Sequence, residues 1–375
     1  MTASPVDPDG LMEFSVVFTD RSLNHMSKAF QGVMTDLYAM LRDVYQAEAA
    51  VIVPGGGTFG MEAVARQFAT GRKVMVICNG WFSYRWTQIF DMGGIPSETN
   101  VVKASQVGNE TTSAFAPQPV EVVTARIREE RPGVVFAPHV ETSSGVILPD
   151  DYIKAVAEAA HDVGALFVLD CIASGCIWVD MKKTGVDVLI SAPQKGWSAS
   201  PSAGLVMLGE RALERLGETT SSSFAVDLRK WHDIMQAYVA GGHAYHSTMP
   251  TDALVVLRDR MIETRDFGFD NARKMQWELG RKVRALLAKN GFKSVAAPGF
   301  EAPGVVVSYT KDPEFQNGKK FMGEGMQIAA GVPLMCDEPA DFRTFRIGLF
   351  GLDKLGDVDG TVAKLETVLD KLAEG

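Results

Sequence analysis

Short runs of apolar and β-branched residues recur along the first half of the chain: Ala50-Val-Ile-Val53, Lys73–Cys78, Gly133–Ala137, Ala165–Asp170, Val186–Ser191 and Gly204–Leu208. Each is too short for a helix and lacks the polar alternation of a half-solvated strand, so each reads as a strand buried on both faces. Helical patterns separate them. Strands alternating with helices predict an α/β fold with a largely parallel sheet covered on both sides. Ligands of such sheets bind just beyond the strand ends, which is where the chemistry-bearing residues of this chain cluster.

From about Thr251 the pattern changes to a long, charged helical stretch running through Ala288, followed by a new strand at Gly304-Val-Val-Val-Ser-Tyr309. This predicts a crossing helix that leads into a smaller α+β domain. The division expected is an N-terminal segment over 1–25, a large domain over 26–255 and a small C-terminal domain over 256–375. The stretch Gly108–Gln118 reads as a polar connection. No internal repeat or low-complexity tract interrupts the chain.

At 375 residues two domains are the natural expectation, and 46% hydrophobic with 22% charged residues is an ordinary globular balance. The formal charge of −9 disfavours nucleic acid and anionic lipid as partners. No apolar run approaches the roughly 20 residues of a membrane span. The start, Met1-Thr-Ala-Ser-Pro-Val-Asp-Pro-Asp-Gly10, has acids and prolines where a secretory leader needs a basic and then an apolar stretch. Cys78, Cys171, Cys176 and Cys336 show no paired metal-ligand spacing, and three of them fall in or beside predicted buried strands. These features lead to the expectation of a reduced cytoplasmic enzyme without a metal.

Two of the strand ends carry charge. Ala165-Leu-Phe-Val-Leu-Asp170 ends on a carboxylate, and Val186-Asp-Val-Leu-Ile-Ser-Ala-Pro-Gln-Lys195 places an amine just past a buried run. Either residue alone is unremarkable, since aspartates cap helices and lysines sit on surfaces. Together they supply an imine-forming amine and an acid able to hold a pyridinium nitrogen protonated, which points to pyridoxal phosphate.

Other strand ends add candidates. Pro54-Gly-Gly-Gly-Thr-Phe-Gly-Met-Glu62 follows a strand and opens a helix, so its backbone N–H groups suit a phosphate. A plain glycine turn or a dinucleotide loop are the alternatives, although no acid ends the next strand as a ribose would need. Asn79-Gly-Trp-Phe-Ser-Tyr-Arg-Trp86 is dense in aromatics, which either offer a face to a flat ring or pack between helix and sheet. His139-Val-Glu-Thr-Ser-Ser-Gly145 offers hydroxyls and an imidazole, either to a ligand oxygen or to the next turn. Arg346, in Phe345-Arg-Ile-Gly-Leu-Phe-Gly351, has a fork suited to a carboxylate.

Leu169-Asp-Cys-Ile-Ala-Ser174 followed by Ser191-Ala-Pro-Gln-Lys-Gly196 resembles the fold-type I pyridoxal-phosphate enzymes of the class V aminotransferase group, most of all alanine–glyoxylate and serine–glyoxylate aminotransferases. The similarity runs from about residue 30 to the C-terminus. It implies a mostly parallel seven-stranded sheet and Lys195 as the residue that carries the cofactor. It also implies Asp170 beneath the pyridine nitrogen and Gln194 near the phosphate. Gly56, Gly57 and Thr58 would line the phosphate cup, Phe82 would stack on the ring, and Thr142 would approach its substituents.

Tyr245-His-Ser-Thr-Met-Pro250 is similar to a segment that crosses to a second subunit, so Tyr245 and Thr248 would contact the neighbouring phosphate in a homodimer. Arg346 matches the arginine for the substrate α-carboxylate. The activity implied is ping-pong transfer of an amino group from alanine, serine or a similar amino acid to glyoxylate or pyruvate. A phosphonate-specific transaminase of the 2-aminoethylphosphonate–pyruvate type is the nearer alternative. A cysteine desulfurase-like lyase using Cys336 is the further one. Phe14–Met26 stands where the group usually has a Gly-Pro-rich segment, and Pro193 where it usually has serine.

Overall fold

The computed structural model describes residues 11, 14, 15 and 22–374. Most of the expected N-terminal segment therefore lies outside the described residues. Seven strands form the central sheet: β1 (Ala49–Pro54), β2 (Lys73–Cys78), β3 (Glu98–Lys103), β4 (Val134–Pro138), β5 (Leu166–Asp170), β6 (Val188–Ser191) and β7 (Ala203–Leu208). Their order across the sheet is β1-β7-β6-β5-β4-β2-β3. The pairs β6/β5, β5/β4, β4/β2 and β2/β3 are parallel, and only β7 runs against its neighbours β1 and β6. The sheet is thus α/β and mostly parallel, and the inner strands are buried along their whole length because helices cover both faces.

The six apolar runs are six of these strands; the seventh, β3, sits at the edge with Glu98 exposed and Thr99 and Asn100 half-exposed on opposite faces. One helix, Gly57–Phe68, lies close on β7 because Gly60 faces Gly204 there. A Cβ on Gly204 would fall 2.7 Å from the Gly60 backbone, so this contact admits no side chain.

The stretch Thr251–Ala288 is two helices, not one. Thr251–Phe267 ends at Gly268, whose φ of +93° stops the first helix before Phe269–Lys289 starts. The second helix packs on the C-terminal helix Val358–Glu374 and on strand Val305–Tyr309. That strand pairs antiparallel with Thr344–Gly348, which also pairs with Ala329–Ala330. Gly108–Gln118 is likewise more than a connection. Phe115 is buried, its N–H donates to Val295 O at 2.7 Å, and its ring meets Phe342 edge-on at 6.0 Å, tying the large sheet's edge to the C-terminal part. No helix among the described residues is long and apolar enough to cross a membrane.

Candidate active site

Because β5 and β6 are adjacent and parallel, their C-terminal ends open side by side, with Ile190 opposite Asp170 in register. Asp170 closes β5, and Lys195 follows β6 after Ala192, Pro193 and Gln194. What fixes the lysine is the residue pair behind it. Trp197 is fully buried against Trp178 (ring centroids 4.6 Å apart) and Tyr45 (6.3 Å). Gly196 passes so close to Gly175 that a Cβ there would lie 2.6 Å from the Gly175 carbonyl carbon. The loop can therefore hold Lys195 over the sheet end in one path.

A cavity at this edge is lined by Gly57, Thr58, Phe82, Thr142, Asp170, Gln194 and Lys195, and further by Met61, Arg85, Val140, Ile172 and Ala173. Gly56 is the N-cap of the Gly57–Phe68 helix, so the first amides of that helix have no intrahelical acceptor and face an anion's position. Gly57 packs closely on Ile172: a Cβ there would lie 2.6 Å from Ile172 Cδ1, so a larger residue would have to displace that side chain.

Phe82 is presented by the first turn of the helix Trp81–Gly93, and a buried carboxylate holds that turn. Glu141 accepts from the N–H groups of Phe82 (3.1 Å), Ser83 (2.8 Å) and Ser143 (3.0 Å) and from the hydroxyls of Ser83 and Ser143 (both 2.7 Å). A negative charge at a helix N-terminus with this many donors is well compensated. Gly80 makes the approach possible, with φ +157° and no room for a Cβ, which would fall 2.7 Å from Glu141 Cγ.

The charges respond to this setting. Burial pushes the Asp170 carboxyl up to about 7; the Ile172 N–H at 2.9 Å pulls the other way, and Glu141 adds to the rise. Burial and then the Arg346 charge hold the Lys195 amine below its ordinary value, against a smaller opposing pull from Asp170. A depressed amine is a better nucleophile at neutral pH. Arg346 lies on the strand Thr344–Gly348, donates from Nε to Ala330 O at 2.8 Å, and stands 5.5 Å from the Phe82 ring centre.

Some expected residues are not in this cavity. Tyr245 and Thr248 are exposed and line a separate hollow with Ser22, Leu23, His25 and Trp231. His139 is buried with Nδ1 2.7 Å from Ser174 Oγ, and burial drives its pKa down to about 3, so it serves packing as a neutral ring. Of the hydroxyls after it only Thr142 faces the cavity; Ser143 is bonded to Glu141 and Trp81 N–H, and Ser144 donates to Asn79 O. Cys336 is buried with its thiol raised far above the ordinary range by the neighbouring Cys78 and by desolvation, the opposite of an accessible thiolate. Arg85 and Glu141, which sequence reasoning did not select, are both part of this site.

These residues fit pyridoxal phosphate. Asp170 is a buried carboxyl lining the cavity, its one recorded side-chain hydrogen bond among the described residues coming from the Ile172 N–H, and a protonated ring nitrogen would supply the cation it lacks. Lys195 offers the amine, Phe82 a flat face, and the helix start at Gly57 a place for the phosphate.

Comparison with known proteins agrees with the geometry. Residues 15–342 match the family model described as aminotransferase class-V. The alanine–glyoxylate aminotransferase 1 of Saccharomyces cerevisiae is 25% identical over 78% of this chain and 78% of its own length. The 2-aminoethylphosphonate–pyruvate transaminase of Burkholderia ambifaria is 27% identical over 94% of this chain and 89% of its own. Among solved structures, an alanine–glyoxylate aminotransferase from Nostoc superposes with a TM-score of 0.76 at 21% identity, over 93% of this chain and 89% of that one. The chain belongs to the class-V aminotransferase family, with the fold-type I architecture, and is a pyridoxal-phosphate-dependent aminotransferase.

Proposed function

We propose that this enzyme moves the amino group of a small amino acid such as alanine or serine to a 2-oxo acid such as glyoxylate or pyruvate. The single observation that carries the residue roles is the convergence of Lys195, Asp170, Phe82 and the Gly57 helix start on one cavity, with Arg346 beside it. The bound cofactor supplies a cationic ring that accepts the electron pair left at the substrate's α-carbon. Asp170 keeps that ring's nitrogen protonated. Lys195 would carry the cofactor through its amine, and that amine is the base placed to move a proton at the substrate's α-carbon. Phe82 would offer its face to the ring, Gly56, Gly57, Thr58 and Gln194 would receive the phosphate, and Thr142 would meet the ring's substituents. Arg346 pairs with the substrate carboxylate.

We place the large domain at 26–255 and the small one at 256–375. The enzyme works as a cytoplasmic homodimer in which Tyr245 and Thr248 reach the phosphate of the neighbouring site; their exposure and distance from this chain's own cavity support that. The small substrate is supported by the yeast relative's name. The phosphonate reading is favoured by the Burkholderia relative, over a larger share of the chain. A panel of alanine, serine and 2-aminoethylphosphonate tested as donors against glyoxylate and pyruvate decides between them. Turnover with alanine or serine is expected, and turnover with the phosphonate alone replaces this reading by the other.

A further inference from the structure

Three cations meet at this cavity: Lys195, Arg346 and Arg85. None of them has a carboxylate within ion-pair distance among the described residues, although the chain carries many ion pairs elsewhere. The proposed chemistry uses the first two. Arg85 is left over, and its surroundings say what it is for.

Arg85 sits on the first turns of the helix Trp81–Gly93, half-buried at the cavity wall. Its guanidinium carbon stands 5.0 Å from the centre of the Phe82 ring, a distance at which the ring face attracts and orients a cation. Its Nη1 donates to Thr58 Oγ1 at 3.1 Å, which brings the guanidinium to the first turn of the Gly57–Phe68 helix. Arg85 thus spans from the ring expected under the cofactor to the amides expected around its phosphate. A guanidinium has five N–H donors, and the bond to Thr58 is the only one formed by this side chain among the described residues. The donors left over form a fork of fixed geometry close to a helix start, whose dipole favours negative charge.

We propose that Arg85 is the cationic ligand of the cofactor phosphate, pairing with the dianion while Thr58 and the helix amides complete its shell. The proposal rests on the cofactor reading above and gives the phosphate, otherwise met by neutral groups among the described residues of this chain, a charge partner. Arg346, on the small sheet, remains for the substrate carboxylate, so the two arginines near Phe82 divide the two anions between them. A substrate with a second acid group is the competing use of Arg85.

The test compares pyridoxal phosphate with pyridoxal, which lacks the phosphate but binds the same lysine. Cofactor-free wild-type protein, Arg85→Ala and Arg85→Lys are titrated with each, following the visible absorbance that grows on attachment, after thermal melts have shown which variants are folded. Loss of a charged hydrogen bond predicts that Arg85→Ala weakens pyridoxal phosphate by ~10-fold or more while pyridoxal changes little. Arg85→Lys should fall between, and it carries the comparison if the alanine variant does not fold. The phosphorus resonance of the bound cofactor should also move in either variant. Equal weakening of both ligands would overturn the proposal, because Arg85 would then act through the Phe82 ring or through its charge, which helps hold the Asp170 carboxyl down against burial. Unchanged cofactor affinity with a raised KM for a dicarboxylic or phosphonate donor would overturn it in favour of the substrate. Failure of the wild-type protein to bind either compound would instead overturn the cofactor reading, and the proposal with it.

Discussion

Replacing Asp170 by asparagine should stabilise the cofactor-free protein and disable the enzyme. Asp170 is 7% exposed and its carboxyl is pushed from an ordinary 3.8 to about 7, chiefly by burial. A rise of about 3 units at about 1.4 kcal/mol per unit corresponds to ~4 kcal/mol of strain in the ionised form, as an upper figure. The folded state keeps its proton to higher pH than the unfolded one. Asp170 therefore leaves stability untouched below its unfolded pKa, and stability is lost progressively as pH rises through about 7.

Asparagine does not ionise, so the variant escapes this loss while keeping nearly the same shape. Urea unfolding of both cofactor-free proteins at a series of pH values isolates most of the effect, since groups away from this site titrate alike in both and only neighbours such as Lys195 feel the lost charge. The stability difference should swing toward the variant between pH ~4 and ~8, by at most ~4 kcal/mol. A difference that stays constant, or that swings the other way, would refute the assignment of a strained buried carboxylate. The same variant should lose turnover by ~100-fold or more, because the ring nitrogen loses its counter-charge.

Arg346→Ala should raise the KM for the amino donor by ~10- to 100-fold, the worth of a charged hydrogen bond, without removing the absorbance of bound cofactor. An unchanged KM would reject its part in carboxylate binding. Glu141→Ala strands the buried donors of Phe82, Ser83 and Ser143 and should cost ~3 kcal/mol or more in denaturant melts, together with weaker cofactor binding as the Phe82 turn loosens. An unaltered midpoint would show that the turn does not depend on it. Cys336→Ser should leave turnover intact and no sulfide should be released from cysteine by either protein, as expected of a thiol buried against Cys78. Sulfide release lost on substitution would revive the lyase reading.

The inner strands were legible because burial on both faces demands continuous apolar runs, and nothing else in so few residues resembles them. β3 was missed for the converse reason: as an edge strand it carries Glu98, Thr99 and Asn100, which no apolar pattern marks. The break at Gly268 was hidden inside an unbroken helical periodicity, where a single glycine is ambiguous until its positive φ is seen. Phe115 looked isolated within a polar stretch because its partners, Val295 and Phe342, are distant in sequence.

Within the site, residues announced by strand ends were found: Asp170, Lys195 and the glycine loop. Arg85 and Glu141 escaped notice because their roles come from contacts with Thr58 and Ser83 that no local spacing reveals. The His139 stretch illustrates the reverse, since of its many polar side chains only Thr142 lines the cavity, while His139, Ser143 and Ser144 are bonded within the fold.

The central claim is that Lys195 holds the cofactor through its side-chain nitrogen. Borohydride reduction of the cofactor-loaded protein, followed by proteolysis and mass spectrometry of the peptides, addresses it without relying on turnover or on any substrate. A phosphopyridoxyl mass is expected on the peptide containing Lys195, and none in Lys195→Ala. A modification on another lysine, or an unmodified Lys195 in protein that retains its visible colour, would contradict it.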